Sequence, residues 1–186
     1  MTWFDIELLQ DLHSDMLRFS RQVKFLADRC GIKLNEYGID HIALRCHQVS
    51  TANRWYQGFE KAGHCFNEKE INGRPIALFT LDQRIDCGEF SVDCVELPWP
   101  GKRLYPHEGW EHIEIVLPVE PLQLHHRAIA LLSDEALRAP DIKIKQSAPK
   151  AMGETLSNPT LAVTDGQVTI KFHPYPLTLI VASEKG

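Results

Sequence analysis

Two stretches decide the fold: DHIALR, from Asp40 to Arg45, and EHIEIV, from Glu111 to Val116. Each opens on an acid, a histidine and an isoleucine, then continues with the alternation of a half-buried strand. Along a strand, residues i, i+2 and i+4 share a face. His41, Ala43 and Arg45 therefore line one side, with Ile42, Leu44 and Cys46 on the other. In the second copy His112, Glu114 and Val116 are opposed by Ile113, Ile115 and Leu117. The Ile/Leu faces read as core beneath helices, and the histidine faces as the opposite side of a sheet. Asp40 and Glu111 each precede a histidine by one step, so plain alternation puts them on the other face, away from it.

Reading outward, the first strand runs into STANRWYQGFEKAG, a helix with a Ser/Thr cap and Gly63 as its stop. Three strands follow, Cys65 to Ile71, Ile76 to Leu81 and Ser91 to Leu97, with hairpin signals at Asn72-Gly73 and near Gly88. The same order then returns. WEHIEIVLP is a strand, PLQLHHRAIALLSDEAL a helix, and DIKIKQS, PTLAVT and VTIKFH are strands, the last two joined at Asp165-Gly166. LTLIVAS near the end reads as one further strand. The closing strands VDCVELPWP (92–100) and VTIKFHPYP (168–176) share Val, Pro, an aromatic and Pro in register. First strands are offset by 71 residues (41 to 112) and last strands by 76 (92 to 168), a loop insertion accounting for the difference. A repeat of this kind dictates architecture. The expectation is an α+β fold: two βαβββ units, about 40–100 and 110–176, forming a curved mixed sheet around a cavity within a 37–186 domain.

Residues 1–36 read as an N-terminal helical extension. Phe4, Leu8, Leu9, Leu12, Met16, Phe19, Val23 and Leu26 recur at helical spacing, and Gly31 is the expected stop. With 186 residues, 44% hydrophobic, the chain can bury a proper core. The net charge of -5 carries no long run of one sign, so neither nucleic acid nor an anionic membrane is an expected partner. Five cysteines without CxxC spacing suggest reduced thiols. No signal peptide or membrane span is legible, and the expected location is the cytoplasm.

Glu96 is a carboxylate inside an apolar strand and needs a cation, a strong donor or water. If the halves curl together, His41, His112 and Glu96 converge. Two imidazoles and one carboxylate make a divalent-metal site with open positions. Arg45, on the same face as His41, is either a clamp for a substrate carboxylate or phosphate or the partner of Glu96 or Glu114. Glu114, facing the cavity, is a candidate general base. His13, His47 and His64 have no partner spacing, His125 and His126 beside Arg127 read as a solvated helix face, and His107 reads as a loop residue, either at the pocket rim or simply exposed.

The two HI strands and paired βαβββ units resemble the vicinal oxygen chelate superfamily, which includes glyoxalase I, bleomycin-resistance proteins and dihydroxybiphenyl-type extradiol dioxygenases. Over its full length, helical extension included, the chain is similar to the bacterial YecM family, whose members are regarded as metal-binding proteins of that fold. The resemblance implies ligands from the first and last strands of each unit: His41 and Glu96 from one, His112 from the other. The fourth ligand, aligned with Glu96, falls on Phe172, a departure from the pattern. His173 beside it faces the other way unless a β-bulge intervenes. The implied function is a Zn-, Mn-, Ni- or Fe-dependent isomerase, lyase or dioxygenase acting on a small, anionic ligand that chelates through two oxygens. The alternatives are a metal-free small-molecule-binding protein of the same fold and a scaffold that binds a protein through its helical extension.

Overall fold

A computed structural model describes residues 2–71, 73–148 and 156–183. Two short 3-10 turns lead into α1 (Gln10–Cys30), which ends where Gly31 takes φ 74°, a left-handed conformation that a side chain disfavours. Then come β1 (Ile39–Arg45), α2 (Val49–Ala62), β2 (Gly63–Ile71), β3 (Arg74–Asp86) and β4 (Ser91–Pro98). The second unit comprises β5 (Gly109–Val116), α3 (Leu124–Ile129), α4 (Asp134–Arg138), β6 (Lys143–Ser147), β7 (Thr160–Thr164) and β8 (Thr169–His173). Helix α5 (Leu177–Ala182) closes the chain.

All eight strands join one curved sheet in the order β2-β3-β4-β1-β5-β8-β7-β6. The order is symmetric about its centre. Each unit places its first strand parallel to its last, β1 on β4 and β5 on β8, and the units meet where β1 runs antiparallel to β5. The two histidine strands are therefore neighbours at the middle of the sheet.

One face carries the main core. Ile42, Leu44, Val95, Leu97, Ile113, Ile115, Ile170 and Phe172 are buried there with the apolar sides of the first four helices. The α1 stripe Leu12, Met16, Phe19, Val23, Leu26 and Cys30 belongs to that same core. The helical extension is thus continuous with the domain's interior.

Several sequence expectations change. LTLIVAS is helix α5, which lays Val181 and Leu177 against Ile76 and Leu78 on the opposite sheet face. The expected second-unit helix is broken into α3 and α4, after a 3-10 turn at Pro121–Gln123. Helix α2 starts at Val49 with no side-chain cap. Gly73 takes φ 76° between the paired Ile71 and Arg74, while Asn72 of the expected hairpin lies outside the described residues.

Asp15 fastens α1 to the start of β5. Its carboxylate accepts from the Trp110 amide at 2.9 Å and from Arg18 Nη2 at 2.9 Å, and it lies 2.9 Å from His107 Nε2. Burial opposes the charge, but these partners outweigh it and hold the Asp15 pKa below its ordinary 3.8. The stabilisation is therefore present above pH 3.8 and lost as pH falls through the lowered value. Asp15→Ala should cost about 2–3 kcal/mol at neutral pH, because the Trp110 amide is left unpaired. Thermal melts across pH should show the gap from wild type closing in acid. A gap independent of pH would exclude this role.

Candidate metal centre and its cavity

The sheet face opposite the core lines a cavity of about 490 Å³. His41, Arg45, Glu96, Glu114, Lys171 and His173 line it, with Ile71, Ile76, Leu78, Leu177 and Ile180 as an apolar wall. His112 is fully buried beside Glu114 and Lys171. All five side chains singled out from the sequence are brought together here. His41 Nε2 lies 3.6 Å from Glu114 Oε1 and 3.9 Å from Glu96 Oε2. His112 Nε2 lies 3.3 Å from Glu114 Oε1 and 4.0 Å from Glu96 Oε1. One donor atom each from His41, His112 and Glu114 fall within 4.8 Å of one another.

Asp40 and Glu111 do not sit where simple alternation puts them. The β1–β5 register slips between Ile39 and His41, and again between Ala43 and Leu44, where β5 steps from His112 to Trp110. Asp40 and Glu111 are the extra residues of two symmetry-related β-bulges. A bulge re-aims the side chain of the residue it inserts. Each acid consequently reaches the histidine after it: Asp40 Oδ2 is 2.9 Å from His41 Nδ1, and Glu111 Oε2 is 2.6 Å from His112 Nδ1. A carboxylate can only accept, so Nδ1 donates and each Nε2 is turned toward Glu96 and Glu114. The repeated acid-histidine pair is therefore one device used twice. Its signal was in the sequence, as the acid preceding both histidines, but the bulges were not.

The closing strands need a second correction. Ala43 pairs with Glu96 across β1 and β4, and Glu114 pairs with Lys171 across β5 and β8. Since His41 and His112 are equivalent, so are Ala43 and Glu114. Glu96 therefore corresponds to Lys171, one residue from the Phe172 chosen by matching the Pro-aromatic-Pro ends. A slip of one residue exchanges the faces of a strand. Phe172 belongs to the core, and Lys171 and His173 face the cavity without any bulge in β8.

Lys171 is the residue sequence reasoning missed. Its Nζ donates to His112 Nε2 and to Glu114 Oε1, both at 2.8 Å. Arg45 is 6% exposed, with its guanidinium 4.5 Å from the Tyr105 ring centre. It lies 3.4 Å from Glu111 Oε2 and 3.8 Å from Glu96 Oε1, and its Nε has no hydrogen-bond partner. Of the two carboxylates expected as its partners, it meets Glu96, with Glu111 in place of Glu114.

Opposed charges offset one another throughout the site. Burial opposes a charged His41, yet Glu114, Asp40 and Glu96 raise its pKa to about 10. Burial likewise opposes ionised Glu114, but Lys171 and His41 hold its pKa well below the usual range. His112 and Arg45 do the same for Glu111 against its burial. Burial lowers the pKa of His173, whose Nε2 has no hydrogen-bond partner and whose Nδ1 lies 3.6 Å from Glu114 Oε2.

Paired βαβββ units in one curved sheet, with two histidines and two carboxylates at their seam, define a fold of the glyoxalase/bleomycin-resistance class. Within that class the chain belongs to the YecM family, whose model matches residues 8–184. It is 54% identical to Protein YecM of Escherichia coli K12 over 98% of this chain and 97% of that protein. An uncharacterized protein of Haemophilus influenzae is 39% identical over 92% of each chain. The solved structure titled Protein EC4020 superposes with a TM-score of 0.93 at 52% identity, covering 99% of this chain and 97% of that one. Among the described residues, no helix is long and apolar enough to cross a membrane.

Proposed function

We propose that the chain binds one divalent metal ion (Zn, Mn, Ni or Fe) through His41, His112, Glu114 and Glu96, and acts on a small anionic substrate that offers two oxygens to that ion. The observation that carries this reading is the aim of the two imidazoles. Both Nδ1 atoms are held by carboxylates, and both Nε2 atoms face buried Glu114 and half-buried Glu96. His41 Nε2 is buried without a hydrogen-bond partner, an arrangement that costs free energy unless something binds there. Two imidazoles and two carboxylates suit these ions. Glu114 on β5 supplies the second carboxylate that its cross-strand neighbour Lys171 does not. The general-base role expected of Glu114 accordingly gives way to ligation.

When bound, the ion supplies Lewis acidity toward the substrate oxygens, or dioxygen chemistry if it is iron. The chain's own residues set what enters. The cavity lining carries five cations, Arg45, Lys69, Arg74, Lys145 and Lys171, against the two carboxylates Glu96 and Glu114, in a chain of net charge -5. That imbalance favours an anionic ligand. The apolar wall from β3 and α5 takes a hydrocarbon portion and keeps water from it. This supports substrate binding and orientation; the reaction type stays with the isomerase, lyase or dioxygenase group.

A metal-free ligand-binding protein is the second reading, and the contact of Lys171 with His112 and Glu114 favours it. Calorimetric titration of chelator-treated protein with Zn²⁺, Mn²⁺, Ni²⁺ and Fe²⁺ decides between them. One ion bound per chain is the expected result. No uptake of any of the four would leave the metal-free reading.

A further inference from the structure

We infer that Lys171 is a built-in counter-cation that occupies the metal-binding side of the site and sets how tightly the site takes a divalent ion. This rests on the reading of the site as a metal centre. The two units mirror each other across the β1–β5 seam. Lys171 stands where Glu96 stands in the first unit, so the position that supplies an anionic donor on one side supplies a cation on the other.

The contacts give that cation its role. His112 Nδ1 faces the Glu111 carboxylate and must donate, which leaves Nε2 with a lone pair. Lys171 Nζ donates to that lone pair at 2.8 Å, and to Glu114 Oε1 at the same distance. A divalent ion held by His112 needs the single Nε2 lone pair that Lys171 occupies, and two cations beside Glu114 would repel each other. Ammonium and metal ion cannot share that lone pair, so binding is an exchange of one cation for another. His41 Nε2 and Glu96 accept no hydrogen bond from Lys171, so its direct contacts in the donor set are with His112 and Glu114.

The lysine side chain is 21% exposed and lines the cavity, so it has space to turn when displaced. Displaced from His112, its ammonium would remain in the cavity that Arg45 also lines. Without an ion, Lys171 keeps Glu114 and His112 paired; with one, the freed charge adds to the attraction for an anionic ligand.

The test is calorimetric titration of the full chain with Mn²⁺ and Zn²⁺, for wild type and for Lys171→Met, Lys171→Arg and Lys171→Glu. Methionine keeps much of the stem and removes the charge, so affinity should rise about tenfold or more, the value of one charge-assisted hydrogen bond. Glutamate should tighten binding further, because it restores the anion found at the equivalent Glu96. Arginine, keeping the charge, should leave affinity near wild type or lower. Circular dichroism confirms that each variant folds; if Lys171→Met does not, Lys171→Gln is judged by the same criterion.

If wild type binds metal and the neutral variant binds it no more tightly, Lys171 is not the competitor and the metal reading alone survives. If neither wild type nor any variant takes up either ion, both readings fall. Metal uptake by the neutral or acidic variant together with none by wild type would be the strongest support for this inference.

Discussion

Replacing His112 with alanine should lower divalent-metal affinity by about two orders of magnitude or more, beyond the roughly 10–100-fold that loss of a partner behind a ligand costs. His112 is fully buried and holds three groups at once: Glu111 at Nδ1, and Lys171 and Glu114 around Nε2. Alanine removes a donor and also releases Glu111 and Lys171 from the positions they hold. The fold should survive at a cost of about 1–3 kcal/mol, since buried polar groups lose a partner but no apolar core is cut. Metal analysis and a thermal melt separate the two effects. A His112→Ala protein that melts near wild type and still binds metal with wild-type affinity would remove His112 from the donor set.

Arg45→Ala should weaken an anionic ligand by about one to two orders of magnitude, the equivalent of a charge-assisted hydrogen bond of about 1.5–3 kcal/mol. The guanidinium is buried against Tyr105 and lies near Glu96 and Glu111, and its Nε, though ion-paired with Glu111 at 3.4 Å, makes no hydrogen bond. Its charge is partly offset while its donors are not used up, which suits a group that grips a ligand carboxylate. Arg45→Lys should lose less than alanine, yet still fall short of wild type. An ammonium cannot reproduce the planar fork or its stacking on Tyr105. A thermal-shift screen of 2-oxo acids, hydroxamates and catechols, with and without metal, provides the measurement. Stabilisation by neutral catechols alone, unchanged in Arg45→Ala, would make the arginine structural and the ligand uncharged.

The duplicated βαβββ order is legible in the amino-acid sequence, because strand alternation, helical spacing and turn residues are local properties that repeat visibly. So is the placement of His41, Arg45 and Glu114 on the cavity side, since no bulge falls between His41 and Arg45 in β1 or between His112 and Glu114 in β5. What the sequence leaves open is phase wherever alternation is interrupted. Asp40 and Glu111 changed sides through bulges that exist only in the pairing of β1 with β5. Glu96 was matched to Phe172 on the strength of similar strand ends, whereas the parallel partners of β4 and β8 make it the equivalent of Lys171. A strand has a period of two, so an error of one residue is invisible in composition yet reverses every side chain. LTLIVAS shows the same limit in another form. A short apolar run satisfies either a strand or a helix, and its packing over Ile76 and Leu78 made it helix α5. Strand pairing alone decided that a lysine, and not a fourth carboxylate, faces His112.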